Sequence, residues 1–454
     1  MELLAFLRDI LQQPALLIGL VSLVGLVALG KPFYKVMTGT LKPILGYLML
    51  SAGAGFIVEN LDPLGKMIQE GFHITGVVPN NEAIVSVAQQ VLGVETMSIL
   101  VVGLLVNLLI ARCTKFKYVF LTGHHSFFMA CLLSAVLGTA DMKGIELILS
   151  GGFLLGAWSA ISPAIGQRYT NRVTEGDGIA MGHFGSLAYY ISAWVGSKVG
   201  DAKDSTEKIE IPEKWGFLRD TTVSTAITMM FFYLLAAVAA GPTYVGTLSG
   251  GMSPFLFALM AGLKFAVGVT IVYSGVRMIL ADLIPAFEGI ATRVIPNAVP
   301  AVDCAVFFTY APTAVVIGFV ASFIGGIVGM LLLGVAGSVL IIPGLVPHFF
   351  CGATAGIFGN ATGGRRGAAI GAFVNGLLIS FTPALLLPVL GALGFQNTTF
   401  GDFDFGVLGI VLGSLSGAWG KAGIFAVSAV FLVILLLPNF MHTEGKVINN
   451  PDEE

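Results

Sequence analysis

The sequence predicts an all-α polytopic membrane protein of about eleven transmembrane helices, arranged as two inverted repeats with re-entrant hairpins. Three observations carry this: composition, the length of the apolar runs, and the placement of Lys and Arg. The chain has 454 residues, 56% hydrophobic and only 11% charged, with a mean hydropathy of +0.90. A soluble domain holds about 25% charged residues, so this surface could not be wetted all round. The 59 glycines suit helices that approach one another closely or break inside a bilayer. Net charge is -3, and no basic patch points to nucleic acid.

Apolar spans fall at roughly 14–30, 41–58, 93–111, 116–138, 144–166, 220–240, 254–281, 312–336, 338–358, 367–393 and 420–438. The connections after odd-numbered spans are basic. They carry Lys31, Lys35 and Lys42; Arg112, Lys115 and Lys117; a long stretch from Arg168 to Arg219; Arg293 with Arg277 nearby; and Arg365 with Arg366. The alternate connections are poor in base: 241–253 is uncharged, the tenth holds only Asp402 and Asp404, and the second sets Lys66 against Glu59, Asp62, Glu70 and Glu82. Such alternation places the amino end outside and the carboxyl end in the cytoplasm of a bacterial inner membrane. The opening MELLAFLRDI lacks a basic start and a small-residue cleavage site, so it reads as retained. Lys421 breaks the pattern and is expected to snorkel.

Two connections, 59–92 and 284–311, are too long for plain turns and resemble each other. LDPLGKMI (61–68) lines up with LIPAFEGI (283–290), Glu82 with Asp303, and LTGH (121–124) with LVPH (345–348). An odd number of spans separates the copies, which makes them upside down relative to each other, as in transporters that hold substrate near the bilayer midplane. The chain then reads as one membrane domain, 1–454. Its parts are a first repeat (14–166), a cytoplasmic connection (167–219), a second repeat (220–393), and a last span with its tail (394–454).

His124, His125, His183 and His348 sit in apolar surroundings, as do Glu82 and Asp303. Charge at the bilayer centre costs about 2.5–3.5 kcal/mol even on the mildest scale, so these groups face a cavity or pair internally. Carboxylates accept O–H bonds and imidazoles donate or accept them, which suits a small ligand with many hydroxyls. Blander readings stand beside this one. His348 could bond a neighbouring carbonyl, and Asp303 could cap the helix after it. His125 points about 100° round the helix from His124, so structural bonding is open for it too. The stretch 175–200 is either an amphipathic surface helix or a re-entrant hairpin carrying His183 to the site.

GVVPNNEAIV (76–85), KYVFLTGHHSFFMACLL (117–133), EGDGIAMGH (175–183), RDTTVSTAI (219–227) and AVDCAVFFTYAPTAVVIGF (301–319) together resemble the ascorbate-specific enzyme IIC family of the bacterial phosphotransferase system. The resemblance runs over nearly the whole chain. It implies a homodimer in which each protomer has a transport core and a V-motif dimerisation domain, an elevator-like movement of the core, and L-ascorbate as substrate. It also implies cytoplasmic IIA and IIB partners, with phosphoryl transfer carried out by IIB. The family's substrate site maps onto Asn81, Glu82, His124, His183 and Asp303. Some members carry glutamines where this chain has Phe128 and Phe184, which leaves the sugar open; His125 could compensate.

No enzymatic constellation stands out: there is no phosphate-cradling GxxxxGK[ST] loop. Cys113, Cys131, Cys304 and Cys351 form no paired motif or metal spacing, and no cofactor is implied. The basic fifth connection is the natural docking face for an anionic phosphoprotein. The alternative from another class is a proton-coupled secondary transporter of a sugar-like or carboxylate substrate using Glu82 or Asp303; a passive channel is a third.

Overall fold

The structure, a computed structural model, describes residues 13–73, 76–79, 81–209, 221–390 and 398–440; the side chains of residues 82–94 lie outside that description. It is all-α apart from five very short strands. In order come α1 (Pro14–Ala28), α2 (Phe33–Phe72), β1 (Val78–Pro79), α3 (Asn81–Cys113), β2 (Tyr118–Phe120), α4 (Gly123–Thr139), α5 (Gly144–Thr174), β3 (Ala180–Met181) and α6 (Ser186–Val199). Then follow α7 (Thr221–Ala240), α8 (Pro242–Leu248), α9 (Pro254–Arg293), β4 (Val299–Val302), α10 (Pro312–Val335), α11 (Leu345–Leu386), β5 (Thr398–Thr399), α12 (Phe403–Trp419) and α13 (Lys421–Phe440).

Among the described residues, six helices are long and apolar enough to cross a membrane, and a seventh if the pair bent by 118° at residue 241 forms one broken span. This is a polytopic membrane protein. The expected boundaries shift in several places. Helix α2 runs through Pro63 to Phe72, and α9 through Pro285 to Arg293. The 59–92 and 284–311 connections therefore shrink, because a proline inside a packed membrane helix loses one backbone bond that neighbours can replace. The expected span 116–138 opens with a strand, so its helix is only α4.

Helix α11 merges two expected spans, yet it is not one rod. Gly364 takes φ 57°, ψ −146°, a conformation open to glycine and strained for other residues. Before it, Gly356 and Gly352 lie against Gly318 and Ser322 of α10; after it, Phe373 and Ser380 lie against Gly325 and Gly329. The first arm thus runs antiparallel to α10 and the second parallel to it. The chain reverses at Gly364.

The helices gather in two groups. One holds α1, α2, α7, α8 and α9; the other holds α3 to α6 and α10 to α13. In the first, α2 and α9 cross antiparallel where Gly46 meets Gly275 and Gly53 meets Gly268; a side chain at these positions would strike backbone. Lys421 does not snorkel alone: its Nζ lies 2.6 Å from Glu146 on α5.

Candidate functional site: a polar cavity between the two helix groups

Two small parallel ribbons, both in the second group, build the site. In one, β4 lies between β2 and β3, all three parallel. Their carboxyl ends therefore share one edge, and the residues that follow emerge side by side: His124 after β2, His183 after β3, Asp303 after β4. Pairing also satisfies the backbone of these irregular segments at depth, with Leu121 N–H donating to Ala301 and Gly182 N–H to Val302. In the other ribbon β1 runs parallel to β5, which delivers Asn81 beside Asp402.

Between the ribbons and helix α2 lies a cavity of about 490 Å³, the size of a small-molecule site. Its wall takes Tyr47, Ser51 and Val58 from α2, and Asn81, His124, His125, His183, Asp303 and Asp402 from the second group. The cavity is therefore a seam between the two helix groups.

Hydrogen bonds assign the protons. The N–H of Gly185 donates to His183 Nδ1 at 3.0 Å, and the Tyr189 hydroxyl lies 2.9 Å from the same nitrogen. A backbone N–H can only donate, so Nδ1 is bare and His183 presents Nε2–H. His124 Nε2 lies 3.2 Å from Asp303 Oδ2, an ion-pair contact that favours the ring proton on that nitrogen; its Nδ1 then accepts from the Tyr47 hydroxyl at 3.0 Å. The other Asp303 oxygen caps the 3-10 turn that follows, accepting from Ala305 N–H at 3.2 Å, so capping and site readings both hold for this residue. On the far ribbon, Asn81 Nδ2 donates to Asp402 Oδ2 at 2.9 Å, Cys351 Sγ to Oδ1 at 3.0 Å, and Gly401 N–H to Asn81 Oδ1 at 2.9 Å. His125 lies between, its ring centroid 3.7 Å from that of His183 and stacked on Phe405. Its Nδ1 has no hydrogen-bond partner among the described residues and sits 3.8 Å from Asp402 Oδ2.

Donor atoms of His125, His183 and Asp402 come within 4.8 Å of one another. The Gly185 contact nonetheless commits His183 as a hydrogen-bond donor on its cavity side, so this arrangement reads as polar recognition rather than metal ligation. Accepting carboxylates beside donating imidazole and amide groups can hold a ring of hydroxyls.

Of the residues singled out in the sequence, Asn81, His124, His125, His183 and Asp303 meet at this cavity. His183 lies at the turn between strand β3 and helix α6. His348 does not reach the cavity: it is buried against α10, with Nδ1 2.9 Å from Ser322 Oγ, and Asn375 Nδ2 donates to the same hydroxyl. The Glu82 backbone opens α3, but its side chain lies outside the described residues. Phe128 lines the cavity, whereas Phe184 is turned into an apolar cluster with Phe120 and Phe405. Sequence reasoning missed Tyr47 and Asp402. Asp402 left a signal: Gly401-Asp402-Phe403 repeats Gly182-His183-Phe184 behind an equivalent strand. Nothing around Tyr47 marked it out. Asp404, which stood as a loop charge, is fully buried and accepts from Ser186 Oγ and Leu187 N–H at the start of α6.

The ascorbate-specific PTS system EIIC component of Mycoplasma pneumoniae is 28% identical to this chain over 416 residues, covering 78% of the chain. The match takes in 62% of that relative's own length. Residues 9–404 match the family described as the PTS system sugar-specific permease component, and the chain belongs to that family.

Proposed function

We propose that the protein is the membrane-embedded IIC component of a phosphotransferase system and translocates L-ascorbate, coupled to phosphorylation of the sugar by cytoplasmic IIA and IIB partners. The observation that carries this reading is the cavity itself: hydroxyl-binding groups sit at the seam between two helix groups, so relative movement of the groups would carry a ligand with it. The relative's name supplies the substrate. An elevator-type movement, a homodimer, eleven spans, an external amino end and a cytoplasmic carboxyl end belong to the same proposal.

Paired contacts that exchange between the halves support an inverted repeat. Shifting the first half by about 222 residues turns the Gly46–Gly275 contact into Gly268–Gly53. The same shift, to within a residue, turns the Val77–Ile341 bridge into Val299–Tyr118; Pro79–Thr399 answers to Ala301–Ala180 with the second partner shifted by 219.

Uptake by membrane vesicles tests the function. Vesicles loaded with phosphoenolpyruvate and the soluble phosphotransferase proteins should accumulate ascorbate phosphate. Uptake that ignores those proteins and collapses with the proton gradient would favour a secondary transporter working through Glu82 or Asp303.

A further inference from the structure

The cavity is anionic. Among the described residues its wall holds the carboxylates of Asp303 and Asp402 and no Lys or Arg. Ascorbate, by contrast, is an enediol acid that exists as a monoanion at neutral pH. An anion placed between two carboxylates is opposed by both. We propose that the site binds the anion together with one proton from water, held on His124 between Asp303 and Tyr47. The inference rests on the substrate reading above and adds to it a proton stoichiometry.

His124 is suited to that proton by its partners. Its Nε2–H already faces Asp303 Oδ2 at 3.2 Å, and its Nδ1 faces the Tyr47 hydroxyl at 3.0 Å. A hydroxyl both donates and accepts. Protonation at Nδ1 therefore reverses one bond and breaks none: Nδ1–H donates to Tyr47 Oη, and the tyrosine hydrogen turns toward the cavity that both residues line. The resulting imidazolium lies against the Asp303 carboxylate, and its positive charge meets the anion in the cavity.

The neighbouring histidines cannot substitute. His183 Nδ1 faces the Gly185 N–H, so a second proton there would set two donors against each other. His125 is buried, and its nearest carboxylate oxygen, 3.8 Å away, already accepts from Asn81. The His124 side chain is 36% exposed against 5% for His125, which leaves it in reach of water. The titratable groups around His124 are Tyr47 from α2, Asp303 after β4, His125 on its own helix, His183 after β3 and Asp402 before α12.

Calorimetry on the purified full-length protein tests this, under anaerobic conditions and in two buffers of different ionisation heat. Ascorbate binding should take up close to one proton. Affinity should fall as pH rises, as linkage requires when binding takes up a proton. A neutral hexitol, if it binds, should do so with no uptake. His124→Gln keeps an N–H for Asp303 but cannot take a proton, so uptake should vanish and the pH slope flatten. Tyr47→Phe, which removes the acceptor for Nδ1–H, should lower uptake in the same direction. Normal ascorbate binding with zero uptake in the unmodified protein overturns the proposal, and an undiminished slope in folded His124→Gln overturns the assignment to His124. Failure to bind ascorbate at any pH, with the protein folded, instead overturns the substrate reading and this inference with it.

Discussion

The two ribbons at the cavity use one backbone device and finish it differently. In the β1–β5 ribbon, Asn81 and Asp402 bond each other, and Gly401 and Cys351 complete the set. Its polar groups are spent on the protein. In the β2–β4–β3 ribbon, His183 keeps Nε2–H toward the cavity and His124 stands partly exposed beside Asp303. The same contrast separates the GH and PH motifs. His124 faces the cavity, while His348, which aligns with it, turns to Ser322. Similar strand-to-helix turns thus place residues in comparable positions, but each side chain's partner decides whether it braces the protein or remains free for a ligand.

The largest effect should come from breaking the spent ribbon. Asp402→Ala leaves the Asn81 amide and the Cys351 thiol buried without an acceptor, which should cost about 3 kcal/mol of stability, read as a lower melting temperature in detergent. If the variant melts like the parent but loses binding, Asp402 is a ligand contact instead. Next in size, Phe184→Gln puts an amide into the Phe120–Phe405 cluster and should destabilise by about 2 kcal/mol. Phe128→Gln, on the cavity wall, should leave melting unchanged and alter selectivity between ascorbate and neutral polyols. Equal melting losses at both positions would contradict the different settings of the two rings.

Asp303→Asn keeps the shape but exchanges the carboxylate that faces His124 at 3.2 Å for a neutral amide. About a tenfold loss of ligand affinity is expected, with little change in melting. His348→Ala should show the opposite pattern: unchanged binding, and lower stability from the space left and from the Ser322–Asn375 pair that loses its partner. Should His348→Ala weaken binding as much as Asp303→Asn, the distinction between bracing and binding groups fails. The smallest change is Tyr47→Phe, which removes one hydroxyl bond to His124 and should weaken ligand binding several-fold, about 1 kcal/mol; a titration in calorimetry at fixed pH would detect it.

Composition alone determined that this is a membrane protein, because hydropathy is a local sum that needs no knowledge of the fold. The alternation of Lys and Arg is a local signal of the same kind, and it carries only an expectation of orientation. Four of the residues that line the cavity, His124, His125, His183 and Asp303, also stood out in the sequence, since an imidazole or carboxylate in an apolar run must find a partner or a cavity wherever the chain goes, whereas Asn81 came only from the family resemblance. Which partner it finds was not legible. His124 and His348 occupy equivalent motifs, and only the packing of α10 separates their roles. Helices continuing through Pro63 and Pro285 depend on neighbours that resolve the lost backbone bond. The reversal at Gly364 follows from both arms packing on α10. Asp402 meets Asn81 across 321 residues of sequence, and Tyr47 reaches His124 from the opposite helix group. Such pairs form because two separate strand pairings and one helix seam converge on a single volume, and that convergence is a property of the packed chain that no local window of residues contains.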